Sequence, residues 1–170
     1  MSFFEGPFIR RAKDKMKNAL LKSEGRQRLI FIISCFLLLG GAIRGQTIVS
    51  SWGDNFHGQS GDGTITASNV PVKVQDISGI AAISGGGAHS LALEDDGTIR
   101  AWGWNSWGQL GDGTTVESHF PVQTVNLSNI TDISAGIEHS IALGADGLVW
   151  AWGHNDWGQL GDETCESSSV

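Results

Sequence analysis

Residues 80–103 read IAAISGGGAHSLALEDDGTIRAWG, and the same pattern returns at 130–153 as ITDISAGIEHSIALGADGLVWAWG. Two short apolar runs, 80–83 and 90–93, lead into a turn at Asp95-Asp96-Gly97 and a third run through Trp102. Asp-Gly between apolar runs is a hairpin signal, because Gly accepts positive φ at no steric cost. Working outward, Trp52-Gly53, Trp102-Gly103 and Trp152-Gly153 share one period of 50. So do Gly61-Asp62, Gly111-Asp112 and Gly161-Asp162, and the His-Ser pairs at His89 and His139. Aligned without a gap, 52–101 and 102–151 agree at about 24 of 50 positions, far beyond chance. A fixed period without insertions means one supersecondary unit stacked on copies of itself. Pro71 and Pro121, each followed by Val, suit the start of an outer strand, where no ladder donor is needed. Three or four short strands per unit predict one propeller blade per repeat.

Charge divides the chain of 170 residues, whose formal net charge is −7. Residues 1–45 hold nine Lys/Arg against three Asp/Glu, whereas 46–170 hold two (Lys73 and Arg100) against fifteen. An acidic surface of that kind repels phosphate, so the body is not expected to bind nucleic acid. With 24 Gly, 7 Trp and no Tyr, the chain is too apolar to be disordered and too Gly-rich for a helical bundle. Its two cysteines, Cys35 and Cys165, cannot make a disulfide framework.

The basic segment ends in an apolar run, LIFIISCFLLLGGAI at 29–43, closed by Arg44. At about 15 residues it is short of the roughly 18–20 that span a bilayer as a helix, and it suits the apolar region of a secretory signal. Cleavage after Gly45 would leave a chain starting at Gln46. An uncleaved N-terminal membrane anchor with its basic flank inside is the alternative. Ile32-Ile33-Ser34-Cys35 has the form of a lipoprotein box, but an apolar run continuing past the Cys is wrong for a lipid-modified terminus. A buried helix within the fold would show a polar face, and this one has none. Residues 1–45 are therefore expected to be a basic leader plus a signal peptide or membrane anchor, whose apolar run 29–43 enters the membrane as a hydrophobic helix during export, placing 46–170 outside the cell or in its envelope.

The combined motifs resemble the regulator-of-chromosome-condensation repeat family. The elements are Gly-x-x-His-Ser at Gly86–Ser90 and Gly136–Ser140, then Asp-Gly at 96–97 and 146–147. They continue as Trp-Gly-x-Asn-x-x-Gly-Gln-Leu-Gly at Trp102–Gly111 and Trp152–Gly161, with Ser60 replacing Leu in the copy at Trp52–Gly61. Kelch repeats have a similar length but use a Tyr, and WD repeats are shorter and carry Trp-Asp; neither pattern occurs here. The resemblance implies a seven-bladed propeller of four-stranded blades, with sequence repeats offset from blades. The expected fold is all-β, a partial propeller of roughly 2.4 of seven antiparallel blades after the N-terminal hydrophobic helix. Its repeats occupy 52–101, 102–151 and part of a third, 152–170. Ser168-Ser169-Val170 matches Ser118-His119-Phe120 and Ser68-Asn69-Val70, each of which precedes Pro-Val. No capping variation closes the last unit, so the chain is expected to be an exported, bacterial-like member cut from a longer protein. Open blade edges would favour self-association.

Positions identical in every copy are expected to hold the blades together. These are Trp52, Trp102 and Trp152 as packing anchors, Asn105 and Asn155 with Asn55 as loop ties, and His89 and His139 as hydrogen-bonded structural imidazoles. Positions that vary in register are the binding candidates: Asp54, Trp104, Trp107, His154 and Trp157, all in the loop after the anchor Trp. Exposed Trp suits an interaction hot spot, although Trp107 and Trp157 could equally stack on a neighbouring blade. No phosphate loop, nucleophile elbow, metal-binding pair or cofactor motif is present. The expected role is therefore non-catalytic binding of a protein or carbohydrate ligand. Two alternatives stand beside it: guanine-nucleotide exchange on a small GTPase, as the resemblance implies, and a truncated piece without its own activity.

Overall fold

A computed structural model of the protein describes residues 29–33 and 48–170, where every regular element is a strand. In chain order these are β1 (Leu29–Ile33), β2 (Ile48–Gly53), β3 (Ser68–Lys73), β4 (Ile80–Gly85), β5 (His89–Glu94), β6 (Ile99–Gly103), β7 (Ser118–Gln123), β8 (Ile130–Ala135), β9 (His139–Gly144) and β10 (Val149–Gly153). They form three sheets, ordered β1-β2-β3, β4-β5-β6-β7 and β10-β9-β8. The middle sheet is a complete four-stranded antiparallel blade. It opens before the anchor Trp102 and closes after it, so each blade draws strands from two consecutive sequence repeats. The all-β propeller architecture expected from the repeats is the architecture found.

The blades stack face to face, which explains why β5 reads as an apolar run and not as an alternation. Leu91 and Leu93 enter one inter-blade core with Ile99, Leu110, Ile130, Ile133 and Trp152. Ala92, between them, points the other way into a second core with Val49, Val74, Ile80, Ile83 and Trp102. Successive strand side chains alternate faces, and here both faces are covered. Each junction is also pinned by a hydrogen bond. Trp102 Nε1 donates to the Gln59 carbonyl at 2.8 Å, and Trp152 Nε1 donates to the Gln109 carbonyl at 3.0 Å. Trp102 and Trp152 are fully buried, whereas Trp52 is partly exposed.

One expectation needs correcting within the described residues. Of the apolar run 29–43, Leu29–Ile33 is not helical but extended, and pairs in parallel with β2. The register mate of β2 is β6, which has β5 on one edge and β7 on the other; β2 has β3 on one edge, and its second edge accepts a run rich in β-branched residues. The rest of 29–43, and the leader's expected membrane insertion and cleavage, lie outside the described residues. Among the described residues no helix is long and apolar enough to cross a membrane.

Gly111 shows how closely the junction is packed. Its φ is +67°, and a Cβ there would stand 2.7 Å from Trp152 Nε1 and 2.8 Å from Thr124 Cγ2. Gly113 has a similar φ of +80°, but the nearest atom to its Cβ position is Val125 Cγ2 at 3.9 Å. Backbone strain alone costs about 1 kcal/mol at such positions, while a clash with an immobile indole adds to it. Gly111→Ala should therefore lower stability by about 3 kcal/mol in denaturant titration, and Gly113→Ala by about 1 kcal/mol. Equal losses would mean that the Trp152 junction does not limit the packing.

Candidate functional site

The loops that follow the anchor Trp are built alike in all three copies. Asn105 is fully buried, and its Nδ2 donates to the Thr114 and Val116 carbonyls at 3.2 and 3.0 Å and to Asp112 Oδ1 at 3.1 Å. Its Oδ1 accepts the Leu110 N–H at 2.9 Å. Asn55 and Asn155 repeat this set within their own loops. One amide thus satisfies backbone groups that the irregular loop would otherwise leave unpaired. A Gln completes each loop: Gln59, Gln109 and Gln159 accept, through Oε1, the backbone N–H of His57, Trp107 and Trp157.

A second set of bonds crosses the junction. Ser140 Oγ donates to the Gln109 carbonyl at 2.8 Å, the same oxygen that accepts from Trp152. Ser90 Oγ does the same to Gln59 at 3.0 Å. Since the Ser140 proton is committed, His89 Nε2 carries the proton in the 3.0 Å contact with Ser140 Oγ. His89 Nδ1 is then an acceptor, buried without a partner among the described residues. The Gly86 backbone makes room for this ring, since a Cβ there would stand 2.5 Å from Nδ1. Burial, reinforced by the neighbouring His139, pushes the His89 imidazole from 6.5 down to about 4. His139 itself is partly exposed.

The loops bring together the residues that vary between repeats. The His57 ring lies against Trp104 at 5.5 Å between centroids and 30° between planes. Trp107 lies against His154 at 4.4 Å and 31°. The two contacts are equivalent: the fifth residue after one anchor Trp stacks on the second residue after the next. Trp104 and Trp107 are partly buried, His154 is buried, Asp54 is exposed, and Trp157 is 89% exposed. Phe56, at the tip of the first loop, is also exposed and packs edge-on against His57.

Three carboxylates flank the two stacks, and none of them is among the binding candidates named from the sequence. Glu117 Oε2 is 3.0 Å from His57 Nδ1, and its Oε1 is 3.4 Å from His119 Nε2. The His57 contact, with His119 assisting, holds the Glu117 carboxyl below its usual range. Glu138 Oε2 lies 2.9 Å from His154 Nδ1, and Asp156 Oδ2 lies 3.0 Å from Nε2. Both are contacts of distance only: Nε2 makes no aligned hydrogen bond, and the aligned partner of Nδ1 is Gln159 Nε2 at 3.2 Å. Glu117 and Glu138 replace Ala67 and Ala88 of the preceding copy; variation in register was the signal that could have found them. A concavity at the first junction, lined by Ser51, Gln59, Gly86 and His89, holds about 20 Å³, room for a water and not for a metabolite. No group of three or more metal-ligating side chains occurs among the described residues.

Comparison with known proteins agrees with this architecture. The family profile of the regulator of chromosome condensation (RCC1) repeat matches residues 49–93 and 96–143, and a second profile of the same repeat matches 80–109 and 130–159. No curated protein matches the chain. Human WBSCR16 superposes with a TM-score of 0.61 at 23% identity, covering 74% of this chain and 38% of that one. Prp20p from Saccharomyces cerevisiae, studied for its binding to Gsp1p and histones, gives 0.63 at 22%, covering 73% and 33%. Yeast RCC1 (Prp20) bound to Kap60 gives 0.63 at 20%, covering 74% and 32%. The chain spans about a third of the length of these structures, and at such identities the likeness is one of fold.

The His89 geometry carries a pH dependence. Its folded pKa lies below the unfolded value, so the unfolded chain binds more protons between about pH 4 and 6.5. The contribution is fully present above pH 6.5 and is lost as pH falls toward 4. It amounts to about 3 kcal/mol. Denaturant titrations at pH 7 and pH 4.5 should show that loss, and His89→Phe should remove most of the difference. An unchanged slope in the variant would assign the acid sensitivity elsewhere.

Proposed function

The chain belongs to the regulator of chromosome condensation (RCC1) repeat family, and from that premise we propose that it is an exported, non-catalytic recognition module. It binds a protein partner through the face formed by the loops after Trp52, Trp102 and Trp152, as part of a longer propeller. One observation carries this reading: the loops share a single buried framework, yet the side chains they present vary, and those of neighbouring loops stack in pairs at His57/Trp104 and Trp107/His154. Asp54, Trp104, Trp107, His154 and Trp157 ride on the Asn and Gln ties that are the same in every copy. A rigid frame holding variable aromatic side chains spends little conformational entropy on binding. The RCC1-type propeller Prp20p has been studied for its binding to the proteins Gsp1p and histones, which supports a protein as ligand here.

A photo-crosslinking side chain at Ser106, in the second loop, should capture one discrete protein. The same group at Asp96, in the hairpin at the opposite end of β5 and β6, should not. Equal capture from both positions, or capture of carbohydrate from Ser106, would overturn the loop-face reading. Export is tested separately. The basic residues Arg10–Arg28 ahead of the apolar run predict that a C-terminally tagged full chain is recovered from the envelope or medium; recovery in the cytosol would sink that part.

A further inference from the structure

Trp104 breaks a pattern that its register mates keep. In each loop the Gln Oε1 accepts a backbone N–H, which fixes the orientation of the amide. The amide nitrogen is thereby turned toward the second residue after the anchor Trp. Gln59 Nε2 donates to Asp54 Oδ2 at 3.1 Å, and Gln159 Nε2 lies 3.2 Å from His154 Nδ1. In the middle loop that residue is Trp104, whose indole has no acceptor. Gln109 is fully buried, and its Nε2 has no partner among the described residues. A buried amide N–H without an acceptor is destabilising, and the indole recovers little by burial because it stays partly exposed. Its own N–H is satisfied locally by Ser106 Oγ at 2.7 Å. Stacking on His57 covers part of the ring but leaves the Gln109 amide unmet, and a local rule broken in this way marks a candidate binding residue.

Glu117 reaches the Trp104 stack through His57, Glu138 and Asp156 flank the next stack at His154, and these charges of the loop face state the chemistry of the ligand. Asp54, Glu117, Glu138 and Asp156 stand in or against the same loops. Neither cation of residues 46–170 is among them: Lys73 is in β3, and Arg100 is in β6, paired with Glu94. We propose that this face, with Trp104 as its anchor, takes a segment of the partner protein bearing lysine or arginine. The proposal rests on the loop-face reading above and names the class of partner. A guanidinium or ammonium group sits over the open part of the indole, the flanking carboxylates complement its charge, and the exposed Phe56 ring receives its aliphatic stem.

Calorimetric titration of the full chain with hexa-arginine, against a neutral Gly-Ser hexamer, tests this. Saturable binding of hexa-arginine alone, weakening as salt rises, is expected. Trp104→Asn supplies Gln109 with the acceptor that Asp54 supplies to Gln59, so its melting temperature should rise while hexa-arginine binds on the order of tenfold more weakly. Trp104→Phe keeps a ring face and should retain most of the affinity. Opposite movements of stability and affinity are what a merely structural role would not produce. Unchanged affinity in Trp104→Asn, or no saturable binding to the unaltered chain, overturns the proposal. If capture from position 106 persists in that case, the recognition face stands and only the cationic partner falls; if capture fails too, both fall.

Discussion

A single carbonyl at each junction holds the stack together. Gln59 O and Gln109 O each accept two bonds from the next unit, one from a Trp indole and one from a Ser hydroxyl. The indole is at once the largest apolar side chain of the inter-blade core and the donor that ties that core to the loop. Burying its N–H without the carbonyl would cost part of what its burial contributes. The loop must therefore stay where the carbonyl is, and the tight turn at Gly111 holds it there against the indole edge. Packing energy and loop position are in this way a single constraint.

What the loops present follows from that constraint. The Asn and Gln amides consume the loop's backbone donors and acceptors, so the remaining side chains are free to differ between copies without altering its path. Differences between units then appear as chemistry on a fixed surface. The first junction sets an imidazole against Trp104 and the second sets Trp107 against an imidazole. In both, a carboxylate lies beside the imidazole. Beneath this surface the His89–Ser140–Gln109 relay couples the loop carbonyl to a neutral, buried imidazole. The same junction thus sets both the acid sensitivity of the fold and the position of the variable face.

Much of this was legible in the sequence. The period of 50 and the Asp-Gly turns led to stacked all-β units, and identity among the copies separated the buried Asn and Trp positions from the variable ones. The apolar run 29–43 reads as a helix because its length and basic flank suit a secretory signal or anchor; the pairing of Leu29–Ile33 with β2 depends on an available sheet edge, which is a property of the fold. Glu117 does not stand out in the sequence because His57, which it meets, is 60 residues away.

By itself the sequence determined the unit, its register and which positions are shared, because a repeated backbone demands the same glycines, amides and anchor indoles in every copy. Only the tertiary structure decided which variable residues touch. Units meet with an offset, so the fifth residue after one Trp faces the second residue after the next, and the partners His57/Trp104 and Trp107/His154 lie 47 residues apart instead of 50. That offset comes from how one blade seats on the next, a matter of side-chain packing across the junction that no in-register comparison contains. The unmet amide of Gln109 belongs to the same class, since an absent acceptor is visible only once the neighbours are in place.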